Sequence, residues 1–131
     1  SVSAPAQIAA RAALEGPQDC VAAFRAAFER RRDLLAAGIA EIDALSLDPP
    51  EGAFYAYIGC AALIGAKTPS GGTLDDDVAV AKYLLEEAHV AAVPGAAYGL
   101  SPFFRISTAT SEAVLAAAVE RIGAAVAKLE F

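Results

Sequence analysis

Arg105 stands alone in the apolar segment Phe103–Phe104–Arg105–Ile106–Ser107. A guanidinium among phenylalanines is costly to bury unless an anion meets it. Its planar fork pairs best with a carboxylate, through two parallel hydrogen bonds. Two readings follow from the residues: an edge strand whose Arg105 lies in solvent or pairs with a helix carboxylate, or a site for a small carboxylate ligand. Other groups capable of chemistry are sparse. Arg30, Arg31 and Arg32 form a cluster beside Glu29 and Asp33. They read as a solvated face with local ion pairs, or as a phosphate contact that lacks the converging N–H groups of a helix start. Asp75, Asp76 and Asp77 suit the negative charge of a helix start. As a cation site they are poorer, because consecutive helical residues point in different directions. His89 is the sole histidine, and Cys20 and Cys60 are the only cysteines. These make neither a zinc site nor a disulfide framework. Both thiols are expected to be reduced and partly buried, and His89 to be a half-exposed structural residue. Gly71–Gly72 lacks the Lys-Ser/Thr of a phosphate loop.

These residues must be positioned by the elements that the hydropathy pattern predicts. A first helix is expected over Pro5–Glu15, stopping at Gly16–Pro17. A second, of about 26 residues, starts at Pro17, which suits a first helical turn. Its stripe is Val21, Phe24, Phe28, Leu35, Ile39 and Ile42. Asp48–Pro49–Pro50–Glu51–Gly52 is a turn. Ala53–Ile58 reads as a strand with Phe54, Ala56 and Ile58 on one face and Tyr55 and Tyr57 on the other. A third helix carries the stripe Val78, Ala81, Leu85 and Ala88, and His89–Val93 is a short strand stopped by Pro94–Gly95. In the strand Phe103–Ser107, alternation puts Phe103, Arg105 and Ser107 on one face and Phe104 and Ile106 on the other. Thr110 or Ser111 caps the last helix, whose stripe is Leu115, Val119, Ile122, Val126 and Leu129. The expectation is a mixed α/β (α+β) fold: a small sheet of three or four strands covered by helices, with a long N-terminal helix.

Composition narrows the class further. The chain has 131 residues, a hydrophobic fraction of 56% and a formal net charge of −6. One domain is expected at this length, with no need of a metal to hold it. The acidic balance argues against a nucleic-acid partner. No apolar run reaches the roughly 18–20 residues of a membrane span, and no secretory leader is evident, so a soluble, cytoplasmic chain is expected. The hydrophobic fraction exceeds the roughly 45–50% usual for soluble domains, largely through alanine. The chain contains no Met and starts at Ser1, so it is expected to derive from a longer product.

Several segments, in order, resemble a known family. They are Gly52–Ala53–Phe54–Tyr55, Glu86–Glu87–Ala88–His89–Val90–Ala91–Ala92–Val93–Pro94–Gly95, Tyr98–Gly99 and Phe104–Arg105–Ile106–Ser107. Together they are similar to the C-terminal part of class I aminotransferases, the pyridoxal-phosphate enzymes of the aspartate aminotransferase fold. Ser1–Val2–Ser3–Ala4–Pro5–Ala6–Gln7 resembles the family's segment leading into its small domain, and Arg30–Arg31–Arg32–Asp33 resembles an Arg–Arg–Asp step of its long helix.

The resemblance implies that residues 1–16 connect to a large domain outside this chain and that residues 17–131 form the small domain. It implies that Arg105 binds the substrate α-carboxylate and that Phe54 lines the pocket wall. The longer parent would bind pyridoxal 5'-phosphate and move an amino group between an L-amino acid, most often aspartate, and a 2-oxo acid such as 2-oxoglutarate. It would be a homodimer. Lys67, Lys82 and Lys128 are the only lysines, and none stands in the motif of the family's cofactor-bearing lysine. The chain alone is therefore expected to hold no catalytic residue, no identifiable cofactor-binding residue and no covalently bound cofactor, and to be inactive. The alternative is a stand-alone, non-catalytic module that binds amino acids or a protein partner through Arg105.

Overall fold

A computed structural model describes all of residues 1–131. The chain runs through α1 (Ala4–Glu15), α2 (Asp19–Ala40), β1 (Tyr55–Gly59), α3 (Asp77–Glu87), β2 (Val93–Pro94), β3 (Phe103–Ser107) and α4 (Glu112–Val126). The three strands form one antiparallel sheet in the order β1-β3-β2. This is the mixed α/β fold, with a small sheet, that the pattern predicts. Strand alternation divides the sheet as expected. Ala56, Ile58, Phe104 and Ile106 face inward and are buried. They join Leu35 and Ile39 of α2, Val80 and Leu84 of α3 and Ile122 of α4 in one core. The opposite face carries Tyr55, Tyr57 and Arg105, none of them buried.

Where local signals conflict, tertiary packing moves the elements. α2 begins at Asp19, with Gln18 as its N-cap and Pro17 left outside. Only Leu35 and Ile39 of its expected stripe are buried, whereas Val21 and Phe24 are exposed because no other element covers the first half of the helix. Cys20 lies on that uncovered half and is exposed, contrary to expectation, whereas Cys60 is buried. No residue of α1 is buried.

The inward face of α3 is Asp77, Val80, Ala81, Tyr83 and Leu84. Val78 and Leu85 of the predicted stripe are exposed. An apolar stripe drawn through the wrong residue rotates the helix by about 100°, and here Val80 and Leu84 are the larger buried pair. His89–Val93 is not a strand. His89 takes a left-handed backbone (φ +52°) just past the helix end, the amide of Val90 donates to the Leu84 carbonyl, and the strand shrinks to Val93–Pro94. β1 starts at Tyr55 because Ala53 turns the chain at φ +61°. Phe54 therefore lies before the strand, exposed, and does not join Ala56 and Ile58. The last helix is capped as predicted, Ser111 Oγ accepting from the Val114 amide at 3.3 Å.

Candidate functional site

Arg105 occupies the central strand and not an edge, because β3 pairs on both sides, and it lies directly opposite Tyr57 of β1 and Val93 of β2. Facing pairs in an antiparallel ladder share one side of the sheet, and diagonal neighbours lie within reach of long side chains. Tyr55, two residues before Tyr57, is such a neighbour, and the Arg105 guanidinium carbon lies 4.1 Å from the centre of its ring. A second ring comes from outside the sheet. Tyr98, in the tight turn Gly95–Tyr98 between β2 and β3, lies 4.5 Å from the same carbon. Tyr98 also meets Tyr57 edge-on, with ring centres 6.1 Å apart. A planar cation between two aromatic faces gains electrostatic and dispersion energy from both, yet its N–H edge stays free for an anion. Arg105 takes part in none of the ion pairs in the chain.

The turn that brings Tyr98 in is built from close backbone approach. A Cβ at Gly95 would run into the carbonyl of Leu100, so that position admits only glycine. Gly99 closes the turn at φ +70°. Asp77, at the start of α3, reaches this loop with one carboxylate oxygen, which accepts from the Ala96 amide at 3.1 Å and from the Ser101 hydroxyl.

Phe54 connects Arg105 to a neighbouring cleft. Its ring tilts against Tyr55, with centres 4.4 Å apart, and more distantly against Phe28 of α2. Phe54, Phe28, Arg25, Arg32 and Glu51 help to line a cleft of about 340 Å³. Arg105 is not on its wall, so the two features meet only through the Phe54–Tyr55 contact.

The remaining candidates separate. Arg30 pairs with Glu112 at the start of α4, Arg32 with Asp33 and Glu29, and Arg31 lies over the Phe28 ring. Arg30 is exposed and ion-paired, as a solvated face requires, but Arg31 and Arg32 are only partly exposed and the Arg31 Nε is buried without a hydrogen-bond partner. Asp76 caps α3 by accepting from the Ala79 amide at 2.8 Å, while Asp77 turns inward and is 1% exposed. No group of three or more metal-ligating side chains occurs, and His89 is exposed. Burial pushes the Cys60 thiol up to about 11, helped by the negative charge of Asp77.

The pattern singles out Arg105 but not the rings of Tyr55 and Tyr98 around it, and it groups Asp77 with Asp75 and Asp76 as helix-start charge. The alternation of Tyr55 and Tyr57 was a usable signal for one ring. Nothing in three consecutive aspartates distinguishes the one that is buried.

The lysines do not complete a cofactor site here. Lys82 and Lys128 are paired with Glu86 and Glu87, and Lys67 is exposed. The residues of this chain therefore do not by themselves fit pyridoxal phosphate.

Comparison with known proteins places this geometry. The chain is 54% identical over 127 residues to an aspartate aminotransferase of Rhizobium meliloti (strain 1021), covering 97% of this chain and 31% of that protein. It is 50% identical over 119 residues to an aspartate/prephenate aminotransferase of Cereibacter sphaeroides, covering 91% of this chain and 30% of that one. The crystal structure of the aspartate aminotransferase from Rhizobium meliloti superposes with a TM-score of 0.92 over 95% of this chain and 31% of its own, at 54% identity. The chain thus spans about a third of the length of the relatives it matches. The sequence profile described as aminotransferase class I and II matches residues 1–122. With that match over nearly the whole chain, the lone guanidinium on the sheet has a family context: the chain belongs to the class I and II aminotransferases.

Proposed function

We propose that this chain is the small domain of a longer pyridoxal-phosphate aminotransferase and that Arg105 is its ligand for the α-carboxylate of the amino-acid substrate. The observation that carries the reading is an unpaired guanidinium, clasped between Tyr55 and Tyr98, on the sheet face turned away from the core. A bidentate carboxylate would meet the N–H edge of that plane, and the rings would keep the fork from rotating. Arg105 then binds and orients the substrate, which is a proximity contribution. The electron-sink chemistry belongs to the cofactor, and the residues that hold it lie elsewhere in the longer protein. Phe54 forms part of the pocket wall through its contact with Tyr55.

The reaction we propose for the whole protein is transfer of the amino group between aspartate and a 2-oxo acid, 2-oxoglutarate being the counterpart expected from the family resemblance. Residues 1–16 act as the connection to the rest of that protein, and residues 17–131 as the domain proper. Exposed Ile8, Leu14, Val21 and Phe24 support a packing surface along α1 and the start of α2. The longer protein is proposed to work as a homodimer.

Arg105→Lys in the full-length protein tests the carboxylate reading. An ionic hydrogen bond contributes about 1.5–3 kcal/mol, and a lysine gives up one of the two parallel bonds together with the stacked plane. The expected fall in kcat/KM for aspartate is about 10- to 150-fold. A lysine variant with kcat/KM within about threefold of the parent removes Arg105 from the site.

A further inference from the structure

We infer that Asp77 is a positioning residue for substrate binding, holding the loop that presses Tyr98 onto Arg105. The inference rests on Arg105 being the carboxylate ligand. Asp77 is 1% exposed, and only one of its carboxylate oxygens is satisfied, the other having no hydrogen-bond partner. A buried, half-satisfied charge is expensive, and an apolar side chain of similar volume would cost the core less. Helix capping does not account for it, because Asp76 already performs that task. What the satisfied oxygen does is join two points of one loop, the amide of Ala96 and the hydroxyl of Ser101, on either side of Tyr98.

That loop has little else to hold it. Residues 96–101 are all exposed, and Tyr98 meets the sheet at Arg105 and Tyr57. Its internal bonds, Leu100 amide to Gly95 carbonyl at 3.0 Å and Gly99 amide to Ala96 carbonyl at 3.2 Å, shape the turn but do not anchor it to the domain. A third tie runs from the Cys60 amide to the Pro102 carbonyl at 3.1 Å, just past β1. Asp77 is thus the buried post to which the exposed turn is moored. Tyr98 is its working end, 4.5 Å from the guanidinium carbon. Without the post the turn samples other positions, Arg105 loses one of its two rings, and the fork must be ordered again each time a carboxylate binds.

The test uses the full-length enzyme, with steady-state kinetics for aspartate and equilibrium titration with succinate as an unreactive carboxylate probe. Asp77→Ala is expected to raise the KM for aspartate and the Kd for succinate about fivefold, with kcat within about twofold. Asp77→Asn, which keeps one acceptor oxygen for both donors, is expected to restore both constants to within about twofold. Asp76→Ala should lower Tm as a lost cap does, without moving KM. An Asp77→Ala enzyme that is merely less stable, with KM and Kd unmoved, overturns the inference. An Asn variant as impaired as the Ala variant overturns it equally. Should Asp77→Ala fail to fold, Ser101→Ala decides: it removes one of the two moorings and should raise KM and Kd about twofold to threefold, and no change refutes the idea. Arg105→Lys run in parallel separates the two levels. If it leaves succinate binding intact, the carboxylate reading fails. If it weakens binding while the Asp77 and Ser101 variants do not, only the positioning role fails.

Discussion

The two tyrosines around Arg105 allow a quantitative forecast that is independent of how the loop is held. Replacing Tyr98 by Ala removes a ring 4.5 Å from the guanidinium carbon and leaves the Tyr55 ring at 4.1 Å in place. A cation over an aromatic face contributes about 0.5–1 kcal/mol at an exposed site and up to about 2 kcal/mol when desolvated. Arg105 is half-buried, so about 1 kcal/mol is the appropriate figure. In the free enzyme that energy fixes the fork. Once it is lost, binding must supply the ordering of a side chain with up to about 2 kcal/mol of rotamer entropy. The loss of about 1 kcal/mol appears as a roughly fivefold rise in KM, with little change in kcat because the reacting bond is elsewhere. Tyr98→Phe keeps the ring, and with it the edge contact to Tyr57, and should stay within about twofold of the parent. The double variant Tyr55→Ala/Tyr98→Ala should cost about 1–2 kcal/mol, or roughly 5- to 30-fold in KM. The assay is initial-rate kinetics of the full-length enzyme across a range of aspartate concentrations. Unchanged KM in Tyr98→Ala would refute the clasp, and so would a Tyr98→Phe enzyme as weak as Tyr98→Ala, since the hydroxyl and not the ring would then be the active element.

Two further outcomes concern the scaffold. Burial holds the Cys60 thiol protonated up to about pH 11, above its ordinary value of 9.0. The folded state therefore retains a proton that the unfolded state releases first, so this stability contribution is intact below about pH 9 and falls by about 2–3 kcal/mol as pH rises toward 11. Denaturant melts of the wild type and of Cys60→Ala across that range should converge; parallel curves would disprove the linkage. In the folded 131-residue chain by itself a thiol reagent at neutral pH should consume Cys20 alone, and both cysteines only after denaturation. Phe104 is fully buried at the centre of the sheet, and Phe104→Ala should lower unfolding free energy by about 3–5 kcal/mol, read as a shift in the denaturant midpoint. A loss under 1 kcal/mol would mean that the core collapses around the gap far better than its packing implies.

The lone arginine was legible before any coordinates, because a cation flanked by Phe104 and Ile106 breaks an apolar pattern in a way that chemistry must explain. The alternation over Phe103–Ser107, the cap at Ser111 and the mixed fold were equally open to reading, since each depends on periods of two or 3.6 residues and on local capping preferences. So was the family, from short segments in a fixed order. What the linear order could not reveal was which side of a helix wins when two apolar stripes compete. Val78 and Leu85 are as hydrophobic as Val80 and Leu84, and only packing against the sheet and α4 chose the second pair. For the same reason the first half of α2 has the period of a buried helix and yet remains bare. Tyr98 and Asp77 were out of reach for a further reason. Tyr98 meets Arg105 only because the Gly95–Tyr98 turn folds back over the sheet, and Asp77 differs from its two acidic neighbours only in burial. Periodicity and local chemistry determined most of the elements and singled out the lone arginine of an apolar strand. The long-range closure of β1, β3 and the turn decided which rings surround it, because contacts between residues far apart in the chain exist only once the core has fixed their register.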